Sequence, residues 1–360
     1  MGTYRLILAL LVAISHMGVS IFGVNEGVIA VISFLMISGF VMTALINGHY
    51  RNAQDIPAFY LDRLLRLQPQ YLFYLALTLT YFFTVGIDDP LFNSATLESI
   101  ILNVLIIPAN FYMTETLNAR VIIPPAWSLG LEACFYLTIP ILVAFRLRHL
   151  ALAISLIIFL FSYSTVIDTN LFGYRFLPGT LFMFLLGSFL CDAGRHGKLI
   201  ILSTYSLCCS LLAATIIFNT YRVPYNIETL LGVVLGLPSI YLLKKRKYGK
   251  LDQTLGNISY GVFLNHFLLL WIWKELGLSI SSPSQMTALI MTSITLAWAS
   301  YQFIEKPAIQ IRKDLRRSCN QNNQGQKPSN SGRVLETVST AAGQDHILHS
   351  SLIENKDRGE

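Results

Sequence analysis

Ten stretches of this chain are apolar over enough residues to cross the roughly 30 Å of a bilayer's hydrocarbon core. They lie near 4–22, 28–46, 69–87, 131–147, 149–167, 174–192, 199–218, 226–243, 255–273 and 285–304. In lipid every backbone amide and carbonyl must be bonded within the protein, and spans of this length meet that demand as helices. The expected fold is therefore all-α, a polytopic membrane bundle of about ten transmembrane helices. Composition agrees: of 360 residues, 54% are hydrophobic and 13% charged, against about a quarter charged in an ordinary soluble domain. The first run follows Arg5 as a signal peptide would, but it is long enough to span and lacks a small-residue cleavage site.

An eleventh segment, "SIILNVLIIPANFY" from Ser99, is shorter and interrupted by Pro108. It is read as re-entrant or interfacial, near 98–113. With the N-terminus inside, the inner loops then receive Arg5, Arg51, Arg63, Arg66, Arg146, Arg148, Arg195, Lys198, Lys244, Lys245, Arg246, Lys247 and Lys250. The outer side receives only Arg120, Arg175, Arg222 and Lys274. That asymmetry satisfies the positive-inside rule and places both termini in the cytoplasm. It also accounts for the net charge of +6 without invoking nucleic acid. Two regions follow: a membrane domain over 1–305 and a polar cytoplasmic tail over 306–360, whose Asn, Gln, Ser and Gly offer too little apolar surface to order it. Cysteines 134, 191, 208, 209 and 319 and the scattered histidines show neither a disulfide framework nor metal-ligand spacing, so no metal is expected.

Polar side chains at membrane depth are expensive and need a reason. Arg5 and His16 are eleven residues apart, about 20° beyond three full turns, so both project from one face of the first helix, roughly 16 Å apart. That face joins an anion-binding position to a buried imidazole, which is either a packing histidine or a base. Ser38 in "SGF" and Ser259, Tyr260 and His266 in "NISYGVFLNHF" sit at comparable depth on two other spans. Small-residue packing accounts for Ser38-Gly39 as well as a cavity does. Arg63 and Arg66, spaced i, i+3 in "RLLR", present two guanidinium forks to one side of a helix, suited to phosphate or to anchoring at the interface. Trp127, Ser128 and Glu132 in "PPAWSLGLE" fall at the outer mouth of the fourth run. There an acid can orient a sugar or pair with Arg120, and an aromatic can stack on a sugar ring or anchor the interface. Glu305, Lys306 and Pro307 stand where the last span exits, as snorkelling charges do.

Taken in order, these stretches resemble the acyltransferase-3 family of integral-membrane O-acyltransferases that modify carbohydrates. The resemblance covers about residues 4–310 and is carried by Arg5-x10-His16, "SGF", "RLLR", "WSLGLE", "GNISYGVFLNH" and "YQFIEKP". Before "SGF" the chain departs from the family pattern, with Ile32 at a position usually polar. The resemblance implies transfer of an acyl group, commonly acetyl, from an acyl-coenzyme A co-substrate to a hydroxyl of a carbohydrate or lipid-linked glycan. A bacterial inner membrane is the implied location. Arg63, Arg66 and Arg5 would hold the donor's phosphates, and His16 would be the general base. Ser38, Tyr260 or His266 would steady the oxyanion, and Trp127, Ser128 and Glu132 would meet the acceptor. A transporter or flippase for a sugar-containing substrate is the competing class, since many spans with midplane polar groups also describe carriers.

Overall fold

A computed structural model describes residues 1–20, 23–87, 89, 96–113, 121–192, 194–246, 249–278, 280 and 282–324, excluding the side chains of 320–324. Every extended regular element among them is a helix. They run α1 (Gly2–His16), α2 (Glu26–His49), α3 (Ile56–Thr84), α4 (Leu97–Val104), α5 (Ala126–Ala144), α6 (Arg148–Tyr163), α7 (Leu177–Asp192), α8 (Arg195–Phe218), α9 (Asn226–Leu243), α10 (Lys250–Glu275), α11 (Pro283–Ser300) and α12 (Lys306–Gln324).

Ten of these overlap the ten apolar runs, but the expected count of about ten crossings is not met by length and composition. By length and composition seven can cross a bilayer: α2, α5, α7 with its preceding turn, α8, α9, α10 and α11 with its continuation into α12. The helices α1 and α6 are apolar but shorter, and α3 is long but carries Asp62, Arg63 and Arg66 in its first half. The chain is thus an all-α, multi-pass membrane protein. The segment near 98–113 forms α4, only about 12 Å long at helical rise, followed by a 3₁₀ turn at Ile107–Phe111. It packs on α5 where Gly130 leaves room: a Cβ there would lie 2.6 Å from the Asn110 amide nitrogen.

Glycines set the helix crossings that place the cavities. On α2 and α7 the arrangement is reciprocal, since a Cβ on Gly39 would lie 1.8 Å from the Phe184 carbonyl oxygen and one on Gly187 would lie 1.8 Å from that of Met36. These helices meet backbone to backbone, the small-residue contact common between membrane helices. Ile32 is wholly buried and faces Gly232 of α9, so the departure from the family pattern serves packing.

The first helix leans along α10, and Asp252 closes its otherwise unsatisfied start. That carboxylate accepts hydrogen bonds from the Gly2 and Thr3 amides, both at 2.8 Å. Farther along, Asn265 of α10 donates to the Ser293 carbonyl of α11 at 3.0 Å and accepts from the Ser293 hydroxyl at 2.5 Å. The rotation of α10 is thereby fixed from two sides.

The expected tail does not begin as disordered chain. Residues 306–324 form α12, which buries Ala308, Arg312, Arg316 and Cys319. Their spacing of four, four and three residues is that of one helix face. Buried ion pairs to Asp62 give this polar sequence the docking that apolar surface alone would not. Residues 325–360 lie outside the described part of the chain.

Candidate functional site

Two cavities occupy the bundle, one toward each end of α1. The basic cavity, of about 90 Å³, is lined by Arg5, Ser38, Arg63, Arg66, Glu132, Tyr136, Tyr260, Arg312 and Arg316 with apolar neighbours. The aromatic cavity, of about 260 Å³, is lined by His16, Tyr112, Trp127, Tyr174, Arg175 and Tyr225 among others. Val31 of α2, Ser128 of α5 and Phe263 of α10 line both and form the partition between them.

At the basic cavity, Asp62 is fully buried and meets three guanidiniums. Its Oδ1 accepts from Arg312 Nε at 2.9 Å and its Oδ2 from Arg316 Nη2 at 2.9 Å. Arg63 contacts the same carboxylate. Arg66 pairs with Glu305 and lies over the Tyr260 ring, 5.0 Å from its centroid. Glu132 accepts from the Ser38 and Tyr136 hydroxyls, each at 2.6 Å. Five arginines, Arg5 included, therefore share three carboxylates, Asp62, Glu132 and Glu305. Nε of Arg5, Arg63 and Arg316 is buried with no hydrogen-bond partner among the described residues. Uncompensated charge is costly away from water, so this arrangement is suited to a polyanion that supplies the missing acceptors.

At the aromatic cavity, His16 closes α1 and Trp127 opens α5. Behind His16 stands His266, with no exposed surface. His16 Nδ1 and His266 Nε2 are 3.2 Å apart, and His266 Nδ1 is 3.3 Å from the Val262 carbonyl oxygen. A carbonyl only accepts, so with neutral rings the proton assignment runs in one direction. His266 Nδ1–H donates to Val262, which leaves His266 Nε2 as an acceptor. His16 Nδ1–H donates to it, which leaves the lone pair on His16 Nε2. That nitrogen is free to take a proton from something in the cavity.

The sequence-derived candidates thus divide. Arg5, Arg63, Arg66, Ser38, Glu132 and Tyr260 gather at the basic cavity, and His16 and Trp127 at the aromatic one. Ser128 stands between, its hydroxyl donating to the Pro125 carbonyl at 3.1 Å. Several expectations change. Glu132 is not at an outer mouth: it lies two turns inside α5, where Ser38 and Tyr136 draw it toward the arginines. Arg120, its suggested partner, lies outside the described residues. Ser38 and Tyr260 lie across the partition from His16, and the Tyr260 hydroxyl is engaged with the Leu67 carbonyl at 2.9 Å. His266 lines neither cavity and instead supports His16. Glu305 does not snorkel, being 3% exposed against Arg66.

Asp62, Tyr136, Arg312, Arg316 and Arg175 were not singled out as site residues from sequence. For Arg312 and Arg316 the signal is their spacing on one face of an otherwise polar helix. For Arg175 it is the position in "FGYR", a guanidinium between apolar runs with tyrosine beside it.

A family model described as an acyltransferase domain, that of the acyltransferase-3 group, matches residues 4–302. A protein of Aquifex aeolicus (strain VF5), described as an uncharacterized protein, is 35% identical over 212 residues, covering 57% of this chain and 96% of its own length. No solved structure matches.

Proposed function

This chain belongs to the acyltransferase-3 family, and from that premise we propose that it is a membrane O-acyltransferase acting between its two cavities. The donor is an acyl-coenzyme A, acetyl-coenzyme A in the first instance, bound from the cytoplasmic side at the basic cavity. The acceptor is a hydroxyl of a carbohydrate or lipid-linked surface glycan in the aromatic cavity, and His16 is the general base. The observation that supports this reading is the His16–His266–Val262 arrangement at the wall of the aromatic cavity, which with both rings neutral favours the tautomer whose lone pair is on His16 Nε2.

The chemistry follows from that assignment. His16 Nε2 removes the hydroxyl proton as the oxygen attacks the thioester carbonyl. A C–O ester bond forms, the C–S bond breaks, and coenzyme A leaves as a thiolate that takes up a proton. Arg5, Arg63, Arg66, Arg312 and Arg316 offer guanidinium forks for the donor's phosphates. The slender pantetheine arm reaches past Val31, Ser128 and Phe263 to bring the thioester toward His16. Arg5 and His16, at opposite ends of one helix, thus serve the two ends of the donor. The Ser128 hydroxyl, at the partition, is the polar group best placed to meet the thioester on its way.

A carrier for sugar-containing substrates would also have cavities toward opposite ends of a bundle, and one experiment separates the two readings. Purified protein in nanodiscs is given radiolabelled acetyl-coenzyme A with glycan acceptors, and the native chain is compared with His16→Ala at equal folded yield. Donor consumption by the native chain, reduced by about 10²- to 10⁴-fold in His16→Ala, supports the transferase. Failure of the native chain to bind or consume any acyl-coenzyme A tried overturns it in favour of transport.

A further inference from the structure

We propose that the aromatic cavity is a subsite for an acidic sugar, with Arg175 taking its carboxylate or phosphate while a ring hydroxyl lies toward His16. The fate of that hydroxyl rests on the transferase reading, whereas the recognition of charge does not.

Arg175 ends the π-helical turn Leu171–Arg175 that leads into α7, and its carbonyl accepts from the buried Asn110 side chain at 2.8 Å. Its guanidinium carbon lies 5.3 Å from the Trp127 ring centroid, 4.9 Å from that of Tyr174 and 5.0 Å from that of Tyr225. Three aromatic rings around a cation make a cage of the kind that elsewhere binds a cationic ligand. Here the protein's own arginine fills the cage, so the charge left for a ligand is positive.

The ring faces accept nothing in the plane of the guanidinium, and the one hydroxyl that meets it among the described residues, that of Tyr112, serves only part of its N–H edge. Arg175 Nε and Nη1 are buried without a hydrogen-bond partner, and Arg175 has no ion pair, among the described residues. Arg63, Arg66, Arg312 and Arg316 at the basic cavity each have a carboxylate. The acidic side chain on neighbouring α9, Glu228, accepts instead from the Asn25 amide at 3.4 Å. A two-oxygen anion matches the paired donors of a guanidinium edge. Trp127 and the tyrosines supply ring faces on which a sugar can stack. His16 lines the same cavity, so charge recognition and the base lie within one chamber.

The test is binding of glucuronate, glucose 6-phosphate and glucose to the full chain in nanodiscs, read by tryptophan fluorescence. At least one acidic sugar is expected to bind about tenfold more tightly than glucose, and the pair identifies carboxylate or phosphate as the preferred anion. Arg175→Gln is expected to remove the preference, Arg175→Lys to retain part of it, and Arg195→Gln, at the exposed start of α8, to leave it intact. In native protein the acidic sugar's affinity should fall with added salt while glucose binding stays level, a readout that survives misfolding of a variant. If neither acidic sugar binds more tightly than glucose, or if the preference persists in Arg175→Gln, the proposal is overturned. Acyl transfer to neutral sugars without charge preference would sink this inference and leave the transferase standing. Arg175-dependent binding of acidic sugars with no acyl-coenzyme A consumption would do the reverse.

Discussion

His266 determines what His16 can do. Because Val262 accepts from one nitrogen of His266, the other is an acceptor for His16 Nδ1–H, and the reactive lone pair is left on Nε2. On the proposed mechanism His266→Phe is therefore expected to lower kcat by about 10²-fold with little change in the KM for acetyl-coenzyme A, since the proposed base loses its orientation and the proposed donor keeps its site. His266→Asn, whose amide oxygen can accept from His16, should recover part of the loss. A purely packing role would favour Phe over Asn, so the order of the two kcat values decides the matter. Asp62 is the second telling residue. Removing its carboxylate leaves Arg63, Arg312 and Arg316 buried without their counter-charge. Asp62→Ala should destabilise the protein by about 3–5 kcal/mol, measured as a lowered unfolding midpoint in detergent. His16 was visible in the sequence because an imidazole at membrane depth is conspicuous. The role of His266 was not, because its tautomer depends on a carbonyl and on a helix crossing that no local pattern records.

Between elements, the closest approaches are made by glycine. The α2–α7 crossing leaves no space for a side chain at Gly39 or Gly187. Gly187→Val should cost about 1–3 kcal/mol or more and shift Ser38, and with it Glu132, in the basic cavity. The expected readout is loss of thermal stability together with weakened acetyl-coenzyme A binding. Helix α12 tests the reverse expectation, that a polar C-terminal segment stays unstructured. Ending the chain after Glu305 should raise the KM for acetyl-coenzyme A markedly, because Arg312 and Arg316 leave the basic cavity, while acceptor affinity stays unchanged. The apolar runs were legible because a helix long enough to cross a membrane shows in hydropathy alone, and seven of the ten meet that measure. Helix α12 was misread because its order comes from buried ion pairs with α3, which lies about 250 residues earlier in the chain.

At the scale of the molecule, the bundle holds a basic and an aromatic cavity that share a wall at Val31, Ser128 and Phe263, where the proposed mechanism requires a passage. Val31→Trp should close that passage, leaving acetyl-coenzyme A binding near native and acyl transfer lost, as equilibrium binding and turnover on the same preparation would show. Sequence singled out Ser128 as an acceptor-site candidate, yet the partition could not be foreseen, since Val31 on α2 and Phe263 on α10 are an unremarkable valine and phenylalanine. The same three side chains have a second duty. With cavities toward opposite ends of α1, these three side chains are the wall that both cavities share. A voltage of 100 mV is worth about 2.3 kcal/mol to each elementary charge that crosses it. On the proposed mechanism, an acyl chain that threads this wall must fill the opening it passes, or ions would follow it down the membrane potential.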